Sequence, residues 1–241
     1  MPVNADGSSS STSLRGKSFL LVGATGALGE ALVRHLLSGG AKVGLAVRRE
    51  RQIAPLAATL PKEQALVGLV PPGDGEAAAG FVKGVQDSLG PLTALISTAG
   101  AFLHAPAGQD RPEALLDLLD ANLLATHTLV RAVLPALRRR GGGGLVFTGA
   151  AVVGKAVPGL SLYLAAKSAL HAYAETLHAE LAPEGIRVAV IAPGTLDTEA
   201  NRRAMPGIER STLVPLARVV DALAAAALGT LPGSGAVHRV V

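Results

Sequence analysis

"SFLLVGATGALGEALVRHLL" (residues 18–37) changes character at its sixth residue. Ser18 to Gly23 is a short apolar run closed by glycine, the pattern of a buried strand, whereas Gly26 to Leu37 carries a helical pattern. Gly23, Gly26 and Gly29 fall at the turn between them with GxxGxxG spacing. Glycine there permits a tight turn and close approach of backbone to a pyrophosphate, and the helix N-terminus adds free N–H groups and a positive dipole end. Such glycines also serve as plain punctuation of a strand-to-helix turn, so the rest of the chain decides between the readings.

Working outward, the same alternation recurs. "KVGLAV" (42–47) precedes a helical pattern over 51–60, "ALVGLV" (65–70) one over 76–89, and "LTALIS" (92–97) one over 112–139. "GLVFTG" (144–149) then leads to a helix over 160–181, followed by "IRVAVIA" (186–192). Nearly continuous apolar strands separated by helices predict a parallel sheet covered on both faces: a single Rossmann-type, doubly wound α/β domain of about seven strands. Ligands bind such sheets at the carboxyl ends of the strands, which is where functional residues are to be sought.

Composition narrows the function classes. With 241 residues, 49% of them hydrophobic, the chain is long enough to bury a full core. No repeat or interior linker divides it, so one domain is expected over 14–241, preceded by a polar, Ser-rich disordered tail over 1–13. No stretch of eighteen uninterrupted apolar residues occurs, which predicts a soluble protein with no membrane partner. The lack of cysteine excludes disulfides, thiolate catalysis and cysteine-bound zinc, and suits a reducing, cytoplasmic location. The net charge of +4 raises the question of nucleic acid, but the one dense basic cluster, Arg138 to Arg140, sits where a helix should end and favours its dipole, so no nucleic-acid partner is expected. The six histidines show neither HxH nor HExxH spacing; His171 and His178 read as a surface stripe on a helix, and no metal site is expected.

Two features carry chemistry. After the second strand come Val47, Arg48 and Arg49 with no acid at the tip. A carboxylate there would accept from an adenosine ribose, whereas the Arg48 guanidinium can hold a 2′-phosphate, which favours NADP(H) over NAD(H). Farther on, Tyr163, one of only two tyrosines, lies four residues before Lys167, so both project from one helical face. An ammonium that close would lower the phenol from about 10 toward the range of a general acid or base. Taken alone, YxxxK also describes a core tyrosine beside a surface lysine.

Together these segments resemble the short-chain dehydrogenases/reductases. "GATGALG" (23–29) is similar to their glycine motif, "STAG" (97–100) to the turn after strand four, Asn122 to their helix asparagine, "YLAAK" (163–167) to their catalytic YxxxK, and "PGTLDT" (193–198) to the segment covering the nicotinamide. The resemblance runs from about Lys17 to Val241, with the elements in the family's order. It implies a cofactor held by Gly23, Thr25, Gly26, Ala27, Leu28, Gly29, Arg48, Ala99, Gly100, Pro193, Gly194, Leu196 and Thr198. It further implies Tyr163 as proton donor and Lys167 as its activator, both also binding the cofactor, with Lys167 on the nicotinamide ribose, and Asn122 holding a water of the proton relay. A homodimer or homotetramer built through helices 112–139 and 160–181 is implied as well.

Departures from the family pattern shape the substrate question. Thirteen residues before Tyr163, where most members have a serine that bonds the substrate carbonyl, stands Ala150; Thr148 is two residues too early. No acid occurs at Leu69 or Val70 to meet the adenine, and the usual asparagine of the turn is replaced by Ser97 or Thr98. Dihydropteridine reductases, a branch that also lacks the serine, resemble this chain most over "TLDTEANRRAMP" (195–206). Three readings follow in order: reduction of a C=N or C=O bond, with quinonoid dihydropterin as the favoured small-molecule substrate; a general ketone or acyl-chain ketoreductase; and a noncatalytic NADP-binding sensor.

Overall fold

Successive residues of the first strand, β1 (Ser18–Val22), enter different cores: Phe19 and Leu21 join one apolar cluster and Leu20 the other. A strand covered on both faces needs apolar side chains at every position, which is why the run shows no polar alternation. The structure, a computed structural model, describes residues 13–231 and 236–241. The expected tail over 1–13 therefore lies, except for Ser13, outside the described residues.

Six further strands follow: β2 (Lys42–Val47), β3 (Ala65–Leu69), β4 (Leu92–Ser97), β5 (Gly143–Thr148), β6 (Ile186–Pro193) and β7 (Val237–Val240). They form one sheet in the order β3-β2-β1-β4-β5-β6-β7 with every pairing parallel. The helices are α1 (Ala27–Ser38), α2 (Ile53–Ala57), α3 (Gly75–Leu89), α4 (Ala114–Leu119), α5 (Ala125–Arg140), α6 (Ser161–Leu181), α7 (Glu199–Ala204) and α8 (Leu216–Leu228). Buried residues of α3, α5 and α6 fill the cluster on one face, and those of α1 and α8 fill the other. This is the doubly wound, seven-stranded architecture expected, with its topological switch point between β1 and β4.

The helix expected over 112–139 forms without a gap over 114–140, with one turn wound differently. Between α4 and α5 lies a π-helical turn, Asp120–Leu124, where the Asn122 side chain donates to the Leu118 carbonyl at 2.9 Å. The helix expected over 51–60 is reduced to a 3₁₀ turn, Glu50–Gln52, and the short α2. Helices α7 and α8 and strand β7 were not marked by the alternation; β7 has His238 and Arg239 at its middle, which hides its period.

Candidate active site

At the switch point the two edges meet closely. Thr98 N donates to Val22 O at 2.9 Å, and Gly23 turns away with φ +91°. A Cβ on Gly23 would lie 2.4 Å from Ala99 N, and one on Gly29 would lie 2.1 Å from Gly23 O. These two glycines let backbones touch. Gly26 differs: a Cβ there would meet only Gly23 O at 3.7 Å, so its bareness serves the cleft rather than the packing. Gly26 is also the N-cap of α1 and offers no capping side chain, leaving the first-turn N–H groups facing outward.

A cavity of about 220 Å³ opens here, lined by Gly23, Thr25, Gly26, Arg48, Ala99 and Gly100 among the expected residues, and also by Gln52, Val70, Thr98 and Ala121. Gln52 ties the mouth together: its Nε2 donates to Thr25 Oγ1 at 3.2 Å and its Oε1 accepts from Arg49 N at 3.1 Å. Val70 stands at the position where the sequence lacks the acid expected to meet the adenine, and it leaves that wall apolar. Ala27, Leu28 and Gly29 do not line the cavity; the Leu28 side chain is in the core, so this part of the motif offers backbone only.

The expected proton-transfer residues come from two elements, α6 and the π turn. Tyr163 lies in the first turn of α6, and Lys167, 5% exposed, donates from Nζ to Thr148 O of β5 at 2.9 Å. Asn122 is fully buried; its Nδ2 donates to Leu118 O and to Ala101 O at 3.0 Å, while Oδ1 has no partner among the described residues. A Cβ on Gly100 would lie 2.8 Å from Asn122 Oδ1 and 3.2 Å from Lys167 Nζ. Gly100 is thus the space into which both polar groups point, and the π turn aims the amide at it, a use such turns often have.

The electrostatics correct one expectation. The phenol is not lowered by Lys167 in this structure: burial raises the Tyr163 pKa above its ordinary value, and burial pushes Lys167 down to about 8. The shared helical face brings the stems together, but the ammonium reaches across to the Thr148 carbonyl, and removal from water then governs both groups.

His171 is a second correction. One turn beyond Lys167, it is 7% exposed rather than part of a surface stripe, and its Nε2 accepts from Ala150 N at 3.3 Å. Burial, with Lys167 and Arg239 nearby, pushes its pKa down to about 4, so at neutral pH it is an uncharged imidazole with its proton on Nδ1. A Cβ on Gly149 would come within 2.2 Å of that imidazole. Ala150, at the serine position, is buried, and the Thr148 hydroxyl is buried without a partner. His178 is likewise not simply on the surface: its Nδ1 lies 3.2 Å from Val188 O.

Phe102 escaped the sequence reading. It is 66% exposed in the loop after β4, with its ring edge-on to Tyr163 at a centroid separation of 5.0 Å. In a chain with 2% aromatic residues, a phenylalanine two residues past the turn after strand four was the available signal.

The segment after β6 stands apart from the cavity lining. Pro193 ends the strand, Gly194 N donates to Val240 O at 2.9 Å, and Leu196 bridges to Val214. Leu196 O accepts from Asn201 Nδ2 at 2.9 Å, and Thr198 Oγ1, the N-cap of α7, accepts from Asn201 N at 3.1 Å, which leaves the Thr198 hydroxyl proton free to donate. Among the described residues there is no group of three or more metal-ligating side chains and no helix long and apolar enough to cross a membrane.

A glycine-lined cleft at the switch point of a doubly wound sheet is a dinucleotide-binding architecture. The chain belongs to the short-chain dehydrogenase family, whose model matches residues 17–208. It is 32% identical over 192 residues to human dehydrogenase/reductase SDR family member 4, covering 78% of this chain and 69% of that one. It is 30% identical over 202 residues to a dehydrogenase/reductase SDR family protein 7-like from Anopheles gambiae, covering 80% of this chain but only 63% of that longer relative. A short chain dehydrogenase from Burkholderia cenocepacia, solved in complex with NADP, superposes with a TM-score of 0.77 at 27% identity over 95% of this chain and 89% of that one. A 3-ketoacyl-(acyl-carrier-protein) reductase from Brucella melitensis, complexed with NADH, shares the fold with a TM-score of 0.82 at 21% identity over 95% of this chain and 98% of that one.

Proposed function

We propose that this protein is an NADP(H)-dependent oxidoreductase that reduces a C=N or C=O bond, with quinonoid dihydropterin as its substrate. The observation that carries the reading is the approach of Asn122 Oδ1 and Lys167 Nζ to Gly100, which lines the same cleft as Arg48, with Tyr163 one helical turn before Lys167. The residues present fit a nicotinamide dinucleotide: a buried amide oxygen on Asn122 lacks a partner among the described residues, and Cβ atoms at Gly26 or Gly100 would fill the cradle. Bound there, NADPH supplies the hydride.

The chain's own residues do the rest. Tyr163 gives its proton to the substrate nitrogen or oxygen, and the half-buried setting keeps that proton in place at neutral pH. With the cofactor bound, Lys167 would hold its ribose, Asn122 Oδ1 would accept from a relay water, and Thr198 with the Leu196 backbone would hold the carboxamide. The exposed Phe102 ring beside Tyr163 suits a planar heteroaromatic substrate, which favours the pterin over an acyl chain.

Arg48 supports the cofactor preference, because it faces the cleft mouth and its guanidinium can fork onto a 2′-phosphate. Arg48→Ala is expected to weaken NADPH binding by about ten- to a hundredfold, the size of a lost charged hydrogen bond, and to leave NADH little changed. Fluorescence titration of both cofactors checks it; tighter binding of NADH by the wild type overturns the preference.

Ala150 separates the pterin reading from a ketoreductase. A conjugated imine does not ask for a hydroxyl at this position, so Ala150→Ser should not speed reduction of quinonoid dihydropterin. In a weakened ketoreductase the new donor should raise ketone turnover by about tenfold or more. Both substrates are to be assayed with wild type and variant. Absent pterin activity, joined to a ketone activity that rises with the serine, replaces the first reading by the second.

A further inference from the structure

At the opposite end of the sheet, where the strands begin, five chain segments line a second, open cavity of about 310 Å³. Its walls carry Lys17, just before β1, Arg140, the last residue of α5, and Arg187, the second residue of β6. Among the described residues none of these three cations is in a salt bridge. The acid nearest in sequence to this rim, Glu184, is held by both Nε and Nη2 of Arg138, at 2.5 and 2.8 Å. Arg140 donates to Leu92 O at 2.8 Å and Arg187 to Ala227 O at 3.3 Å. Each of these bonds uses one of a guanidinium's five N–H groups.

Glycines let the segments that carry the cations approach closely. A Cβ on Gly142, whose φ is +142°, would lie 2.8 Å from Gly185 O, and one on Gly229 would lie 2.6 Å from Arg187 Nε. The Arg187 pKa is lowered, first by burial and then by the charge of Arg140, so the arrangement costs free energy that an anion between the two would recover. Capping of exposed carbonyls explains one N–H of each arginine. It does not account for Lys17 on the same wall.

We propose that this cavity binds a small phosphate-bearing molecule, its dianionic group clamped between Arg140, Arg187 and Lys17. Forked guanidinium donors match a tetrahedral oxyanion, and the volume lies at the small end of ligand sites, about 300 Å³. The amides of Gly141, Gly142 and Gly143 are already bonded to backbone carbonyls, so side-chain charge carries the affinity and salt should weaken it.

The test is calorimetric titration of pyrophosphate into the full chain at fixed ionic strength, with saturating NADP+ present so that the cofactor cleft does not compete. One molecule per chain is expected, with affinity lowered about tenfold or more in the double variant Arg140→Gln, Arg187→Gln, the loss of charged hydrogen bonds. NADPH affinity should be unchanged in that variant, because both residues are remote from the cleft. Lys17→Gln alone should also weaken pyrophosphate, which provides the same answer if the double variant does not fold. Equal pyrophosphate affinity in wild type and variants, or heats no different from those of potassium chloride, overturns the site. Citrate binding more tightly than pyrophosphate overturns its assignment to phosphate.

Discussion

Replacing Tyr163 with phenylalanine is expected to lower turnover by about 10²-fold or more while NADPH binding persists. The substitution keeps the ring, and with it the edge-on contact to Phe102 at 5.0 Å, and removes only the hydroxyl. The measurement is steady-state reduction with NADPH, beside a cofactor titration and a melting curve. A role in packing alone predicts altered melting with intact turnover; a role in proton donation predicts the reverse. The pH profile adds a second readout. Burial raises the phenol above 10.0, so its proton is present through neutrality and is lost only as pH rises through that raised value. Lys167, lowered to about 8, carries its charge below that pH and loses it above. Reduction by the wild type should therefore hold at neutral pH and decline in steps on the alkaline side. Unchanged turnover in Tyr163→Phe returns the residue to an ordinary half-buried tyrosine.

How much of this was legible follows from where the information lies. The doubly wound fold was readable because β1 and its neighbours are buried on both faces, and such strands must be apolar throughout. The π turn at Asn122 was not. "DLLDANLLATHTL" (117–129) keeps a helical pattern through the π turn, and the turn depends on bonds from one side chain to Leu118 and to Ala101 in a distant loop. His171 could have been placed: Tyr163, Lys167 and His171 succeed one another every four residues, so the face that turns Lys167 inward carries His171 with it. The state of the Tyr163–Lys167 pair was beyond the sequence, because spacing reports proximity along the helix and not that the ammonium is taken by Thr148 O on another element.

Two glycines of one motif should fail in different ways. Gly23→Ala places a methyl 2.4 Å from Ala99 N and 2.6 Å from the Thr98 carbonyl carbon, at a φ of +91° that alanine resists. Both obstacles are backbone, so the turns after β1 and β4 must separate. Overpacking of this kind costs about 1–3 kcal/mol, and the left-handed backbone adds roughly 1–2 kcal/mol. For a chain of this size each kcal/mol moves the melting temperature by about 2–4 °C, so a fall on the order of 10 °C is expected, with cofactor affinity lost as the cleft floor deforms. Gly26→Ala has no such collision: φ is −91° and the nearest atom, Gly23 O, is 3.7 Å away. That variant should melt within a few degrees of the wild type, yet bind NADPH more weakly, because the methyl stands in the cavity where the pyrophosphate approaches α1. Differential scanning calorimetry and cofactor titration on both variants separate the two roles. A Gly26→Ala protein that binds NADPH as the wild type does would remove that glycine from the cofactor site and leave the motif as a device for packing strand against helix.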